Sequence, residues 1–195
     1  MASHGHNEDS ACAVAHGAHE LSPAGRSQDD RGHGQGAGDR VLVAVFASPV
    51  AGYLLRYATD MGFRGLLVEP DEARAAAASA LASQIGHCSV TGHLPDDLDD
   101  AADVVLTDHH REELGVILRD ALATKARWIG IMGNPRHEGP HIAALTALGV
   151  APGDIARVHR PIGLNIGSRT PPEIALATLA GLLADRNARP GGFEF

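Results

Sequence analysis

Hydrophobic positions follow no helical or strand period through residues 1–40, and from Val41 onward they become regular. "VLVAVFA", residues 41–47, is a nearly continuous apolar run, as expected of a parallel strand covered on both faces. Val50, Tyr53, Leu54, Tyr57, Ala58 and Met61 then fall on one face of a helix that Gly62 stops. "RGLLVE" predicts a second strand, and "DEARAAAASALASQI" is a strong helix former. A less regular segment with His87, Cys88 and "LPDDLDD" leads to the strand "DVVLTD". Leu114, Ile117, Leu118 and Ala121 mark the next helix, "RWIGIMG" a fourth strand, and "HIAALTALG" a helix ended by Gly149. "ARVHRPIG" reads as a short fifth strand before a final helix. That helix opens on a capping box, Thr170 with Glu173, has Pro171 and Pro172 in its first turn, and carries Leu176, Leu179, Ala180 and Leu183 as its stripe.

Strands alternating with helices make βαβ units, so the fold class is α/β: Rossmann-like, a mostly parallel sheet with helices on both faces. The expected division is a His- and Gly-rich disordered tail over 1–40, the Rossmann-like domain over 41–187 and a flexible C-terminal tail over 188–195. Gly181 marks close helix packing or a homodimer contact. Composition narrows the function. A formal net charge of −8 argues against nucleic acid as a partner, because phosphate contacts need a field of Lys and Arg. No apolar run approaches the roughly 18 residues of a membrane span, and no secretory leader is apparent, so a cytoplasmic protein is expected. Cys12 and Cys88 share no metal or disulfide spacing. In the tail, His4, His6, His16, His19 and His33 with Cys12 could bind a transition metal weakly, or be incidental to a solvated segment.

In such sheets ligands bind beyond the carboxyl ends of the strands. The first of these loops reads Phe46-Ala47-Ser48-Pro49-Val50-Ala51-Gly52 and lacks the glycines that let a backbone approach a dinucleotide pyrophosphate. Glu69, ending the second strand, stands where an acid could hold a ribose hydroxyl. "TDHHREE", residues 107–113, could coordinate a metal or move protons, or could be a polar loop in which Thr107 or Asp108 caps the next helix. "GIMGNPRHEG" brings Gly133, Arg136 and His137 to the same edge, where a guanidinium can grip a phosphate. In "GLNIGSR", helix initiation leaves Gly163, Asn165, Gly167 and Arg169 unexplained, and they could present backbone N–H groups and charge to an anion.

With these residues assembled, the chain resembles the Rossmann-like domain of the XdhC/CoxI family, the xanthine dehydrogenase accessory factors. "RPIGLNIGSRTPPEIALATLAGLL" is similar to the family's R-x-P-I-G-L-D/N-I-G-x-x-T-P-E-E-I-A pattern. "VVLTDHHREEL" resembles its T-H-D-H-x-x-D segment with Thr107, His110 and Glu113 in register, and "WIGIMGNPRHE" resembles Y-I-G-L-L-G-S-R-R-K with Gly130, Gly133 and Arg136 kept. Phe46–Val50 replaces a G-A-G-H-V-like loop, and the His-rich tail stands where family members often carry a preceding domain.

The resemblance implies an accessory factor that binds the molybdenum cofactor and hands it to a molybdenum hydroxylase client, xanthine dehydrogenase or a related enzyme. The expected cofactor-binding set is Thr107, His110, Gly133, Arg136, Gly163, Asn165, Gly167, Arg169 and Thr170. No Ser-His-Asp or Cys-His arrangement is evident, in keeping with binding rather than catalysis. Two alternatives stay open: an NAD(P)-binding oxidoreductase with an altered glycine loop, and a metal-handling protein that uses the His-rich tail.

Overall fold

The computed structural model describes residues 40–133 and 139–192. Strands β1 (Val41–Val45), β2 (Arg64–Val68), β3 (Cys88–Thr91), β4 (Ala102–Leu106), β5 (Trp128–Ile131) and β6 (Val158–His159) form one sheet in the order β3-β2-β1-β4-β5-β6. Every neighbouring pair is parallel. This is the doubly wound Rossmann order, and its direction of winding reverses between β1 and β4. The helices are α1 (Pro49–Asp60), α2 (Glu72–Ala82), α3 (Leu114–Ala123), α4 (Pro140–Ala147), α5 (Pro152–Ile155) and α6 (Pro171–Arg186).

Because successive side chains of a strand point to opposite faces, β1 feeds two cores. Val41, Val43 and Val45 join a cluster with Leu114, Leu118 and Leu145 of α3 and α4. Leu42 and Ala44 join a second cluster with Leu54, Leu55, Ala58, Leu179 and Leu182 of α1 and α6. Burial on both faces explains why β1 and β4 read as unbroken apolar runs. β3 escaped the sequence pattern because it is an edge strand whose residues are mostly half-buried, so no dense run marks it. The one-turn helix α5 was also too short to register.

Two helical faces differ from the sequence reading. In α1 the buried residues are Ala51, Gly52, Leu54, Leu55 and Ala58, whereas Tyr53 and Met61 stand at the surface. The small residues pack inward; a Cβ on Gly52 would come within 2.8 Å of Leu81. In α6, Ala175, Ala177, Thr178, Leu179 and Leu182 are buried and Leu176 is exposed.

At the amino edge of the sheet, Asp103 has a fully buried side chain between two arginines. Arg127 Nε donates to Oδ1 at 2.8 Å, and Arg186 Nη2 donates to Oδ2 at 2.9 Å and to the Ala101 carbonyl at 3.0 Å. Arg127 also reaches Asp185 at 2.6 Å. The C-terminal turn of α6 is thereby tied to β4, and its N-terminus is directed to the carboxyl edge. Removing the central carboxylate would strand two partly buried guanidinium groups. Asp103→Ala is therefore expected to cost about 3–5 kcal/mol in denaturant unfolding, and a loss below about 1 kcal/mol would show the cluster to be dispensable.

Candidate functional site

The carboxyl edge divides into two halves. On the β1–β2 side, the carboxyl group of Glu69 is sealed from solvent and fully occupied. Ala47 N–H donates to Oε2 at 2.8 Å, Asp71 N–H donates to Oε1 at 3.1 Å, and Arg111 Nη2 donates to Oε1 at 3.0 Å. The same guanidinium binds Glu113 at 3.0 Å and lies 4.7 Å from the centre of the Phe46 ring. Burial works against the charge of Arg111, but its hydrogen bonds with Glu113 and Glu69 outweigh that and raise its pKa above the ordinary guanidinium value. The bond to Arg111 in turn holds Glu113 below the usual carboxylate range.

Phe46 takes a positive φ of 73° as the chain leaves β1, and its ring is fully buried. A non-glycine residue in this region is strained, so the surrounding contacts must hold it. Ser48 then caps α1, its Oγ accepting from Ala51 N–H at 3.1 Å, and Pro49 occupies the first helical position without an N–H. In a dinucleotide-binding fold this loop receives the pyrophosphate and the acid after β2 receives a ribose hydroxyl. Here the Ser48 side chain, the proline and Arg111 hold those positions.

Thr107 does not cap a helix: α3 begins after Glu113. Its Oγ1 lies 2.8 Å from the Phe46 carbonyl oxygen, 3.0 Å from that of Val45 and 3.0 Å from Ser48 Oγ, joining the loops after β1 and β4. Asp108 Oδ1 accepts from His110 N–H at 2.9 Å, closing a local turn. The rings of His109 and His110 are 4.0 Å apart, with His110 exposed. Among the described residues, no group of three or more His, Cys, Asp or Glu side chains is arranged to hold a metal ion.

The final loop also differs from the sequence picture. Gly163, at φ 87°, crosses the middle of α6 so closely that a Cβ would come within 3.0 Å of the Ala177 and Thr178 backbone. Leu164 N–H donates to the Ala177 carbonyl at 3.0 Å, and a Cβ on Gly181 would meet Gly163 Cα at 2.9 Å. Both glycines are thus explained by packing within this chain. Gly167, at φ 71°, has open space around it, and Asn165 and Arg169 are exposed. Glu173 Oε2 accepts from the N–H groups of Arg169 and Thr170, at 2.9 and 3.0 Å, as part of a capping box. With Pro171 and Pro172 lacking N–H groups, the start of α6 presents an internal carboxylate where an external anion was expected to sit. These hydrogen bonds from the Arg169 and Thr170 backbone lower the pKa of Glu173.

On the β5–β6 side, Arg160 follows β6 and extends across the end of β5. A Cβ on Gly133 would lie 2.6 Å from Arg160 Nε and 2.7 Å from Nη2, and one on Gly139 would lie 3.1 Å from Arg160 Cδ. One side chain therefore borders both glycines that flank residues 134–138. Burial, then the charges of His110 and Arg160, depress the pKa of His109, against the pull of Asp108. Burial, then Arg160, depress that of His141. Arg136, Asn134, Pro135 and His137 lie outside the described residues, as do the tail histidines. Sequence reasoning passed over Arg160 and His141. The strand-end rule applied to β6 points to Arg160, whereas the Glu69–Arg111 pairing spans 42 residues and left no local signal.

The XdhC Rossmann domain model matches residues 42–182. An Escherichia coli (strain K12) protein, Uncharacterized protein YqeB, is 36% identical over 89 residues, covering 46% of this chain and 16% of that protein. The crystal structure of a Bacillus halodurans protein described as a xanthine dehydrogenase (BH1974) superposes with a TM-score of 0.58 at 21% identity, over 76% of this chain and 45% of that one. The chain thus spans less than half the length of either relative. At that identity the superposition establishes a shared fold.

The depressed histidines give a pH signature. An imidazole kept neutral in the fold but free to protonate in the unfolded chain adds stability that is complete above its ordinary pKa and is lost as pH falls below it. His109 and His141 are expected to titrate below 6.5 by NMR, with stability declining from that pH downward. Midpoints at or above 6.5 would contradict the burial assigned to them.

Proposed function

Because the chain belongs to the XdhC Rossmann-domain family, we propose that it is an accessory protein for maturation of a molybdenum hydroxylase of the xanthine dehydrogenase type. It binds an anionic cofactor, the molybdenum cofactor, at the β5–β6 half of the carboxyl edge and presents it for insertion. The observation that carries this reading is the Arg160 guanidinium against Gly133, at the strand ends where such sheets bind ligands. The cofactor's phosphate calls for a planar charged donor with space beside it. Arg160 supplies the donor, and the absence of a side chain at Gly133 lets the guanidinium lie against the end of β5. His109 borders the same charge from the β4 loop. Arg136, three residues from both Gly133 and Gly139 in the sequence, lies outside the described residues. The exposed His110 contributes a further donor along the rim, with Thr107 holding the β4 loop in place.

When bound, the cofactor supplies the redox-active metal that the client enzyme uses. This chain's own residues grip the anion, orient it and release it, tasks that need no nucleophile.

A nicotinamide dinucleotide fits less well. Its ribose would have to displace Arg111 from Glu69, and its pyrophosphate would meet Pro49 and an Ala51 N–H already held by Ser48. Metal handling by the N-terminal histidines would use residues outside those described here.

The test is the pterin content of the protein purified from cells that make the cofactor, read as fluorescence of the oxidised pterin. Arg160→Gln, with circular dichroism as the folding control, is expected to retain at least tenfold less pterin than the wild type. A wild type free of pterin, or a folded variant with equal content, would overturn the proposal.

A further inference from the structure

On the opposite half of the carboxyl edge, an open cleft of about 430 Å³ lies between α3 and the loops that follow β2 and β3. Its apolar lining is Pro70, Leu94, Val116 and Ile117. Ile117 belongs to the core beneath α3 and Leu94 packs against that core, whereas Val116 is 43% exposed. A lone aliphatic residue at the surface is ordinary, but one that shares a concavity with Leu94 leaves hydrocarbon for a partner to bury. Apart from His93, the polar lining is acidic: Glu112, Glu113 and Asp120. Glu113 is paired with Arg111, which Glu69 also shares, and Asp120 is paired with Arg119. Glu112 is exposed and has no ion pair among the described residues, so the group keeps a surplus of negative charge. The exposed Asp96 and Asp97, next but one to Leu94 in its loop, add to it. Acids at the start of α3 suit the helix dipole, but Asp120 lies in the second half of that helix, one turn beyond Val116 on the same face.

We propose that this cleft docks a short basic segment of a partner protein, in which large apolar side chains are flanked by Lys or Arg. The apolar side chains lie against Leu94, Val116 and Ile117, and the flanking cations meet Glu112 and Asp120. Burial of hydrocarbon supplies affinity, and charge complementarity selects the partner. Nucleic acids and anionic membrane surfaces carry the same sign as this rim and are repelled by it. A second copy of this chain brings a formal net charge of −8, and residues 1–39 contain more acids than arginines and no lysine. Neither supplies the complementary charge. The surface lies on α3 and the loops after β2 and β3, apart from the β5–β6 half of the edge, and does not depend on the cofactor reading.

Methyl-resolved NMR of the full chain tests this, with the peptide acetyl-Lys-Arg-Phe-Leu-Lys-Arg-amide as the probe. The methyl signals of Leu94, Val116 and Ile117 are expected to shift saturably, and binding to weaken as salt is added. A peptide with Ser in place of Phe and Leu, and one with Glu in place of every cation, are each expected to bind about tenfold more weakly or worse. Val116→Lys, at a position exposed enough for the fold to tolerate it, removes apolar surface and adds a like charge. It should weaken the peptide about tenfold, and Glu112→Arg, also at an exposed position, about fivefold. Unmoved methyl signals, equal binding of the serine or glutamate peptide, or undiminished affinity in both folded variants would each overturn the proposal.

Discussion

A carboxyl group sealed from water must find all its hydrogen bonds inside the protein, and at Glu69 that requirement shapes half of the carboxyl edge. Two backbone N–H groups and the Arg111 fork converge on it. Holding Ala47 N–H in place fixes how the chain leaves β1, with Phe46 at positive φ beneath the Arg111 guanidinium. Fixing Arg111 in turn orders the loop after β4, and Thr107 ties that loop back to Phe46. The result is a closed network across the switch point of the sheet, the place where related folds leave a crevice for a dinucleotide.

The consequence is a displacement of binding potential along the edge. The start of α1 is capped by its own serine and carries a proline, and the start of α6 is satisfied by Glu173. Each leaves few of the bare N–H groups that make a helix N-terminus attractive to an anion. On the β5–β6 side, glycines at 133 and 139 make room for Arg160, and two histidines whose pKa burial depresses stand within its field. The proposed anion would there meet a guanidinium already placed at the strand ends.

Much of the architecture was legible from periodicity alone. The central strands are buried on both faces and so spell continuous apolar runs, and α3 buries each residue of its predicted stripe, Leu114, Ile117, Leu118 and Ala121. The edge strand β3, with one neighbour and half-buried residues, had no such signature. The site was harder to read, because its determinants are tertiary. Gly163 looked like ligand-loop chemistry, yet its missing side chain and positive φ serve a backbone crossing of α6 opposite Gly181. Thr107 and Asp108 looked like helix caps, yet one joins two loops and the other closes a turn within its own loop. The capping box was evident from Thr170 and Glu173, but its implication, that the box uses up the N–H groups an anion would need, emerges only with the hydrogen bonds in view.

An anion is expected to be received at the β5–β6 half of the edge and nowhere else along it. Titration with inorganic pyrophosphate, followed through backbone amide and arginine Nε–Hε NMR signals, locates the anion directly. Saturable shifts are expected at Gly133, Gly139 and the Arg160 side chain, with Ser48–Ala51, Arg111 and Arg169–Glu173 unmoved. Shifts centred on the start of α1 or of α6, or release of Arg111 from Glu69, would contradict it.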